Sequence, residues 1–377
     1  MDKQAYVDRL DPTTDDPEEL FEHFERRSEA GRTCHVLSDA RHGVERGTVI
    51  VEGDGAVIRG YPSIPRVLVL ESGIPSFFDG ETTIVVEEKL NGFNVRIADI
   101  GDGEPVAFTR SGFVCPYTTA RARDLLALSP YFVDYPDTML CAEMIGPESP
   151  YAAHDYDDIE TNDFRVFGIR DRESGDPVPV AERRNRCEEY GFPQPRFFGQ
   201  FDLDETVDGV RDAIASLDAA GREGVMMKSA DGTSMAKYTT ETQHHNELAY
   251  AFSLPFDCGQ DFLFSRIVRE AFQAAEFDED DDRLRERSHT LGESILLPMV
   301  ETIRDIHDDQ TVGERHVIRG EPATVEALLV HLRKQSLTLE VEDDRRESGT
   351  RVVTFVKVAN ATQDRIQHYL DSGLREE

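Results

Sequence analysis

The stretch "VVEEKLNGFNVRI", residues 85–97, places one lysine between two glutamates and an Asn-Gly turn. Lysine is rare in this chain, whose 41 basic side chains are arginines except at Lys3, Lys89, Lys228, Lys237, Lys334 and Lys357. A β-branched run precedes Lys89, which predicts that a buried strand ends there in a tight turn. Burial disfavours an ammonium, and an arginine does not deprotonate, so a lysine in this place can serve as a nucleophile.

These residues alone leave two interpretations of Lys89 open. In the first, Gly92 lets the backbone or a ligand phosphate approach closely, and the amine is functional. In the second, the segment is an ordinary β-hairpin that carries a surface lysine. The rest of the sequence has to decide between them.

Length and composition indicate a multidomain protein outside the membrane. The 377 residues suggest two to four domains. We find no run close to the roughly 18 to 20 apolar residues of a membrane span. The N-terminal "MDKQAYVDRL" lacks the pattern of a signal peptide, which favours a cytoplasmic location.

Cysteines and histidines give no indication of a metal site. The five cysteines have no CxxC pair, which argues against a zinc ribbon or a disulfide framework; they are Cys34, Cys115, Cys141, Cys187 and Cys258. His244 and His245 are adjacent, and neighbours in sequence do not share a helix face. We therefore expect them not to bind a metal together.

The formal net charge of -34 resembles that of a haloadapted proteome, in which carboxylates keep a surface hydrated in concentrated salt. The alternative is an acidic protein that avoids polyanions, because a negative field repels nucleic acid. In about 1 M salt the Debye length is only ~3 Å, so local arginine clusters matter more than the total charge.

Hydrophobic patterns divide the chain into four predicted domains with a mixed α+β fold. They are an N-terminal module at 1–60, a strand-rich domain at 61–243, a helical domain at 244–312 and a small α/β domain at 313–377. An acidic first turn predicts a helix over residues 16–30 that ends at Gly31. In the second domain, Val207, Val210, Ile214 and Leu217 share one face of a helix. The acidic run at 278–282 is typical of a solvated stretch.

Five further motifs accompany Lys89 in a fixed order. They are "FTRSG" at 108–112, "AEMIG" at 142–146, "FRVFGIRD" at 164–171, "EGVMMK" at 223–228 and "AKY" at 236–238. Together they resemble the ordered motif set of the covalent nucleotidyltransferases, the superfamily of ATP-dependent DNA and RNA ligases and RNA capping enzymes. That resemblance implies a core of antiparallel sheets that binds a nucleotide.

The nucleophile motif departs from the usual Lys-x-Asp-Gly-x-Arg of that superfamily. Asn91 stands in the place of the aspartate and Asn94 in that of the arginine. Asparagine at the sixth place resembles the RNA ligases that seal 3′-OH and 5′-phosphate ends. The flanking sequence, the long helical stretch and the α/β tail resemble the archaeal homodimeric ATP-dependent RNA ligases.

The resemblance implies roles for the cationic residues of the motifs. Lys89 would attack the α-phosphorus of ATP and form a lysyl-AMP phosphoramidate. The phosphate oxygens need cations beside them, and Lys228 and Lys237 match, with Lys237 in the position that contacts the α-phosphate. Arg110 matches the arginine that contacts the nucleotide or the 5′-phosphate. Asn94 completes the nucleophile motif at the nucleotide.

It also implies roles for carboxylates and one aromatic ring. Glu143 and Glu223 match the carboxylates that organise the ribose and a divalent metal, Mg²⁺ or Mn²⁺. Phe167 matches the aromatic residue that stacks on adenine, with Phe164 as the runner-up. Adenine specificity would also need backbone contacts near Glu87 and Glu88.

Each assignment has a simpler alternative. A phenylalanine in a strand is usually a core residue, and Glu223 fits a solvated turn. Glu143 is harder to explain in that way, because a carboxylate among apolar strand residues is costly to bury without a cation. The sequence leaves open whether Arg66 and Arg96 face the phosphates or lie at the surface.

The sequence thus predicts an ATP- and Mg²⁺-dependent RNA ligase that joins 5′-phosphate and 3′-OH ends and forms a homodimer through its helical domain. The nearest alternatives are a DNA ligase and a 5′-end adenylyltransferase with the same chemistry, followed by a capping guanylyltransferase. The alternative from another class is a non-catalytic nucleic-acid or protein-binding module.

Overall fold

The structure is a computed structural model that describes residues 3–29, 31–53, 55–101 and 103–373. Within these ranges, fifteen strands form four antiparallel sheets and twelve helices surround them. The predicted α+β class is confirmed.

The N-terminal sheet has the strand order β1-β2-β3-β4. Its strands are β1 (Phe24–Glu29), β2 (Arg32–Leu37), β3 (Val49–Val51) and β4 (Val57–Ile58), and helices α1 (Lys3–Leu10) and α2 (Pro17–Phe21) precede it. Ile50 packs towards α1 and α2. Val49 and Val51 pack in the opposite direction, into the core that this sheet shares with its neighbour.

The predicted helix over residues 16–30 is wrong in its second half. Helix α2 begins after Asp16, whose side chain accepts a hydrogen bond from the amide of Glu18, and it ends at Phe21. The next residues form β1, because residues 24–29 pair with residues 32–37 of β2. Cross-strand pairing, which a single segment does not reveal, overrides the helical pattern there.

Two four-stranded sheets carry the motifs. The first, in the order β10-β5-β11-β12, consists of β5 (Thr83–Lys89), β10 (Phe197–Asp202), β11 (Gly224–Ser229) and β12 (Met235–Thr239). The second, in the order β7-β6-β8-β9, consists of β6 (Phe93–Ala98), β7 (Val106–Thr109), β8 (Thr138–Ile145) and β9 (Asp163–Asp171). The chain leaves the first sheet after Lys89 and enters the second at Phe93. The Asn-Gly segment therefore links two sheets and is not the turn of a β-hairpin.

Helices cover the outer faces of these two sheets. Helices α3 (Leu70–Phe77) and α7 (Thr206–Asp218) share a core with the first sheet. The predicted apolar face of α7, from Val207 to Leu217, is buried as expected. Helices α4 (Pro116–Leu125), α5 (Leu128–Asp134) and α6 (Val180–Glu189) share a core with the second sheet.

The predicted helical stretch is confirmed as three helices, α8 (Glu241–Ser253), α9 (Gln260–Glu276) and α10 (Asp281–His307). The acidic run at 278–282 spans the start of α10. Asp280 caps that helix by accepting hydrogen bonds from the amides of Asp282 and Arg283. We find no helix in the described part of the chain that is long and apolar enough to cross a membrane.

The C-terminal sheet has the order β13-β15-β14. It comprises β13 (Gly313–Gly320), β14 (Leu339–Glu347) and β15 (Thr350–Val358), with helices α11 (Pro322–Lys334) and α12 (Asn360–Ser372). Leu328 of α11 and Phe355 of β15 belong to the same core as Val95 and Leu140 of the second central sheet. The C-terminal unit is thus packed directly onto the sheet that carries half of the motifs.

Candidate active site

A pocket opens between the two central sheets, where the chain crosses from one to the other. Its wall consists of Tyr61, Ile64, Glu88, Lys89, Leu90, Asn94, Arg110, Glu143, Phe167, Pro195, Met226, Lys228 and Lys237. Eight of the ten predicted site residues are in that wall. The other two, Glu87 and Glu223, form ion pairs with lysines of the wall.

Lys89 lies at the end of β5, opposite Gly224 of β11. Its Nζ is 2.6 Å from Oε1 of Glu223, and 22 % of its side chain is exposed. Burial raises the pKa of Glu223, and the charge of Lys89 opposes that rise. A carboxylate with a raised pKa in contact with the amine is suited to accept the proton that a nucleophilic lysine must lose.

The turn after Lys89 is fixed by a close backbone approach. A Cβ on Gly92 would lie 2.3 Å from the carbonyl oxygen of Met144, so only glycine fits there. The hydroxyl of Tyr156 accepts a hydrogen bond from the amide of Asn91 (2.8 Å) and donates one to its carbonyl (2.9 Å). The approach that the sequence predicted at Gly92 is therefore made by the backbone of β8.

Lys237 points into the pocket from β12. Its Nζ forms no hydrogen bond or ion pair with any residue that the structure describes. Burial, together with the nearby charges of Arg66 and Lys89, lowers the pKa of Lys237 to about 8. An unpaired cation in a partly buried position is a site for an anion.

Glu143 is the corresponding unpaired carboxylate. It lies on β8 beside Asn94 of β6, and within the described ranges its side chain has no hydrogen-bond or ion-pair partner. Burial raises its pKa to about 8, although Lys89 acts in the opposite direction. The Oδ1 atom of Asn94 is also buried without a hydrogen bond. Two neighbouring oxygens without partners fit a hard divalent cation, which prefers oxygen ligands.

Lys228 is held more firmly than the sequence indicated. Its Nζ donates to Oε2 of Glu87 (2.8 Å) and to the carbonyl oxygen of Phe167 (2.8 Å). Glu87 also binds the guanidinium groups of Arg183 and Arg184. Burial alone would raise the pKa of Glu87, but Lys228 and Arg183 lower it to about 2. Lys228 thus lines the pocket with a charge that is already compensated.

The structure separates the two phenylalanines of β9. Phe167 lines the pocket, and its ring meets that of Tyr61 edge to face at a centroid distance of 5.3 Å. Phe164 is fully buried in the core beneath the second sheet. Phe167 is therefore the ring that is available to a ligand.

Arg110 is exposed at the mouth of the pocket, on a loop that packs against the N-terminal sheet. A Cβ on Gly47 would lie 2.1 Å from the carbonyl oxygen of Arg110. Arg96, in contrast, is fully buried and donates hydrogen bonds to the carbonyl oxygens of Arg59 (2.6 Å), Gly47 (2.9 Å) and Thr109 (2.9 Å). Neither of the two interpretations that the sequence left open for Arg96 is correct, because the side chain joins two sheets from within.

Comparisons with known proteins match this architecture. The family model for RNA ligase matches residues 82–239, and that for the ligase Pab1020 C-terminal region matches residues 250–373. Solved structures of an archaeal ATP-dependent RNA ligase, in form 1 and form 2, are 40 % and 39 % identical to the chain. Their TM-scores are 0.92 and 0.93, and all of both chains is covered in each comparison. The chain belongs to the archaeal ATP-dependent RNA ligase family.

Two further proteins are similar to most of the chain. An uncharacterized protein of Methanocaldococcus jannaschii, MJ0414, is 39 % identical over 345 residues, which are 89 % of this chain and 86 % of that protein. A putative ATP-dependent DNA ligase from Aquifex aeolicus is 25 % identical over 95 % of this chain and 98 % of its own, with a TM-score of 0.87.

Three residues of this RNA ligase family member contribute to the pocket without a signal that we recognised in the sequence. Tyr61 packs against Phe167, Tyr156 clamps the turn after Lys89, and Arg183 of α6 neutralises Glu87. Tyr156 and Arg183 lie outside the motifs. Their roles depend on contacts across 65 and 96 residues of sequence.

Proposed function

We propose that this protein is an ATP-dependent RNA ligase and that Lys89 is its nucleophile. In the first step, Nζ of Lys89 forms a bond to the α-phosphorus of ATP. The bond between the α-phosphorus and the oxygen that bridges to the β-phosphate breaks, and pyrophosphate leaves. AMP then moves to the 5′-phosphate of an RNA end, which frees the lysine. A 3′-OH finally attacks that 5′-phosphorus, forms the phosphodiester and releases AMP.

One observation carries the proposal: an amine in contact with a carboxylate is held at the end of β5, in a pocket whose Lys237 and Glu143 have no partners in the described part of the chain. Glu223, in contact with Lys89, would take its proton, and Lys237 would compensate charge on the α-phosphate. Asn94 and Arg110 complete the cationic and polar wall around the phosphate. Phe167 offers the ring for adenine, and adenine specificity would also need backbone contacts near Glu87 and Glu88.

A divalent cation, Mg²⁺ or Mn²⁺, fits the same pocket. Glu143 would hold it, with Glu223 as the second carboxylate, since the half-buried Glu143 has a raised pKa and no partner among the described residues. When bound, such an ion withdraws charge from phosphate oxygens. The orientation of the reacting groups comes from the protein, through the Gly92 turn and the β5–β11 pairing that fix Lys89.

The test is an intact-mass measurement after incubation with ATP and Mg²⁺. The wild-type chain should gain the mass of one AMP, and Lys89→Ala and Lys89→Arg should gain nothing. Lys89→Ala should still seal pre-adenylylated RNA, because that step does not use the amine. Full labelling of Lys89→Ala would refute the assignment. A non-catalytic binding module would release no pyrophosphate.

The resemblance to the Aquifex aeolicus protein supports DNA ligation as a second candidate. Nicked DNA, nicked RNA and single-stranded RNA in one competition assay separate the two, and single-stranded or nicked RNA should be consumed first. Adenylylated ends that accumulate without joining would indicate a 5′-end adenylyltransferase. Replacement of ATP by GTP would indicate a capping enzyme.

We also propose the four-domain division at 1–60, 61–243, 244–312 and 313–377, and a homodimer formed through the helical domain. Exposed apolar side chains on α9 and α10 support that interface, among them Phe264 (69 % exposed), Leu296 (60 %) and Leu297 (51 %). The net charge of -34 supports work in concentrated salt. Light scattering in high salt should give twice the mass of the chain, and a strict monomer would contradict the interface.

A further inference from the structure

Three arginines meet beside the pocket, at the contact between the first central sheet and helix α9. We call Arg66, Arg266 and Arg269 the arginine cluster. Arg66 and Arg269 line one small cavity together with Thr239, and Arg66 donates a hydrogen bond to the hydroxyl of Thr239. Arg266 and Arg269 both approach the same oxygen of Glu247, at 2.5 and 3.5 Å.

The arginine cluster has more positive charge than its surroundings neutralise. One carboxylate, Glu247, is paired with Arg266 and Arg269, whose side chains are 13 % and 15 % exposed. The Nη1 atom of Arg269 is buried and forms no hydrogen bond within the described ranges. Burial, followed by the charges of Arg66 and Arg266, lowers the pKa of Arg269 to about 10. Like charges held together in partial burial are unfavourable unless an anion joins them.

Strand register places this cluster at one particular end of the pocket. Lys228, next to Phe167, lies opposite Met235 on β12, whereas Gly224 lies opposite both Lys89 and Thr239. Along β11, the direction from Lys228 to Gly224 therefore runs from the end of the pocket at Phe167 to the end at Lys89. Thr239 and the arginine cluster continue in that direction.

The backbone also joins the cluster to Lys237. The amide of Lys237 donates to the carbonyl of Pro65, and the amide of Val67 donates to the carbonyl of Lys237, each at 3.0 Å. Arg66, between Pro65 and Val67, is consequently locked beside Lys237. A polyanion that contacts Lys237 with one phosphate would reach the arginines with the next.

We propose that Arg66, Arg266 and Arg269 bind the β- and γ-phosphates of ATP and hold the pyrophosphate as it leaves. This proposal rests on the function proposed above, in which Phe167 binds the base and Lys89 attacks the α-phosphate. Guanidinium groups match phosphate oxygens in geometry and charge. It gives helix α9 a part in the first chemical step, in addition to any part in dimerisation.

His244 acts in this arrangement as a positioning residue. Its Nε2 hydrogen-bonds with the Thr239 hydroxyl at 2.7 Å, and its Nδ1 lies 2.5 Å from Glu270 on α9. The hydroxyl that holds Arg66 is thus itself held from α8 and α9. Of the two adjacent histidines, His244 supports Arg66 through Thr239, whereas His245 hydrogen-bonds with Glu270.

The test compares Arg269→Gln with the control Arg304→Gln, which removes the same charge from an exposed position on α10. Arg269→Gln should need about tenfold more ATP for half-maximal adenylylation of Lys89, since a charged hydrogen bond contributes on that order. It should likewise need about tenfold more inorganic pyrophosphate to convert the lysyl-AMP form back to ATP. Sealing of pre-adenylylated RNA should stay at the wild-type rate, and Arg304→Gln should match the wild type throughout.

Other outcomes would overturn the proposal. Unchanged ATP and pyrophosphate dependence in Arg269→Gln would exclude the phosphate site, and a loss confined to the RNA-dependent steps would assign the cluster to RNA. Arg269→Lys, which keeps the charge, should recover part of the pyrophosphate affinity, and no recovery in a folded variant counts against the site. If the wild-type chain itself takes no AMP from ATP, the proposed function has failed; otherwise only the arginine site is at stake.

Discussion

The pocket and the helical segment both bury charged side chains, but in the helical segment every member of one cluster has a hydrogen-bond or ion-pair partner. That cluster, here the helical ion cluster, consists of Glu241, His244, His245, Glu270, Glu279 and Arg287. Arg287 binds Glu241 at 2.9 Å, Glu270 at 2.7 Å and also Glu279. In the pocket, Lys237 and Glu143 have no partner among the residues that the structure describes.

The pKa values of Glu270, Glu143 and Lys237 follow this difference, whereas burial raises the pKa of Glu241 although Arg287 and Arg283 oppose the rise. Burial alone would raise the pKa of Glu270, but hydrogen bonds from His244 and His245 and the charge of Arg287 lower it to about 2. In the pocket, burial dominates, so the pKa of Glu143 rises and that of Lys237 falls, each to about 8. Charged groups that pair with one another can stabilise a fold, whereas charged groups without partners are available to a ligand.

The largest effect should come from removal of the unpaired pocket cation. Lys237→Met should slow adenylylation of Lys89 about 100- to 1,000-fold, as the loss of one oxyanion-stabilising group does elsewhere. Its thermal stability should be unchanged or higher, because no ion pair is lost and a partly buried charge is removed. Single-turnover labelling with ATP and a melting curve check both statements. The control is Lys334→Met, at an exposed position on α11.

A lower melting temperature in Lys237→Met would contradict this difference between the pocket and the helical ion cluster. It would mean that the pocket cation is structural, as the charges of the helical ion cluster are.

The next effect concerns that cluster. Glu270→Gln should lower the free energy of unfolding by about 3 kcal/mol at pH 7, as expected for a carboxyl whose pKa is near 2 in the fold and 4.5 when unfolded. Because the folded-state pKa is depressed, the stabilisation is complete above pH 4.5 and is lost as the pH falls towards 2. Denaturant unfolding at several pH values should show the wild type and the variant converging over that window.

Glu301→Gln, at an exposed position on α10, is the control and should change stability little. A Glu270→Gln variant as stable as the wild type at pH 7 would show that the ion pairs of the cluster contribute nothing net.

The smallest effect distinguishes the two rings of β9. Phe167→Leu should raise the ATP concentration for half-maximal adenylylation about tenfold, because stacking of a base on a ring contributes on that order. Phe164→Leu should leave that concentration unchanged and lower the melting temperature, because its ring is in the core. If Phe164→Leu alone shifts the ATP dependence, Phe167 is not the ring that binds adenine.

Local patterns predicted the strands of the motifs well. The apolar runs that contain Lys89, Glu143 and Lys237 are strands in the structure, and eight of ten predicted site residues line one pocket. Strand β10 was missed, because its residues "FFGQFD" at 197–202 are all exposed or half-exposed and do not alternate. Strand β1 was predicted as a helix. Both errors concern strands defined by their partner more than by their own pattern.

The sequence by itself predicted the chemistry of this protein: a lysine before an Asn-Gly turn, followed by motifs in a fixed order, indicates a nucleotide-binding pocket around that amine. The tertiary structure alone decided which charges that pocket leaves unpaired. Glu87 meets Arg183 across 96 residues, and Arg66 meets α9 across about 200. Such pairings depend on how sheets and helices pack and not on local periodicity, and electrostatic energies change steeply with distance and burial.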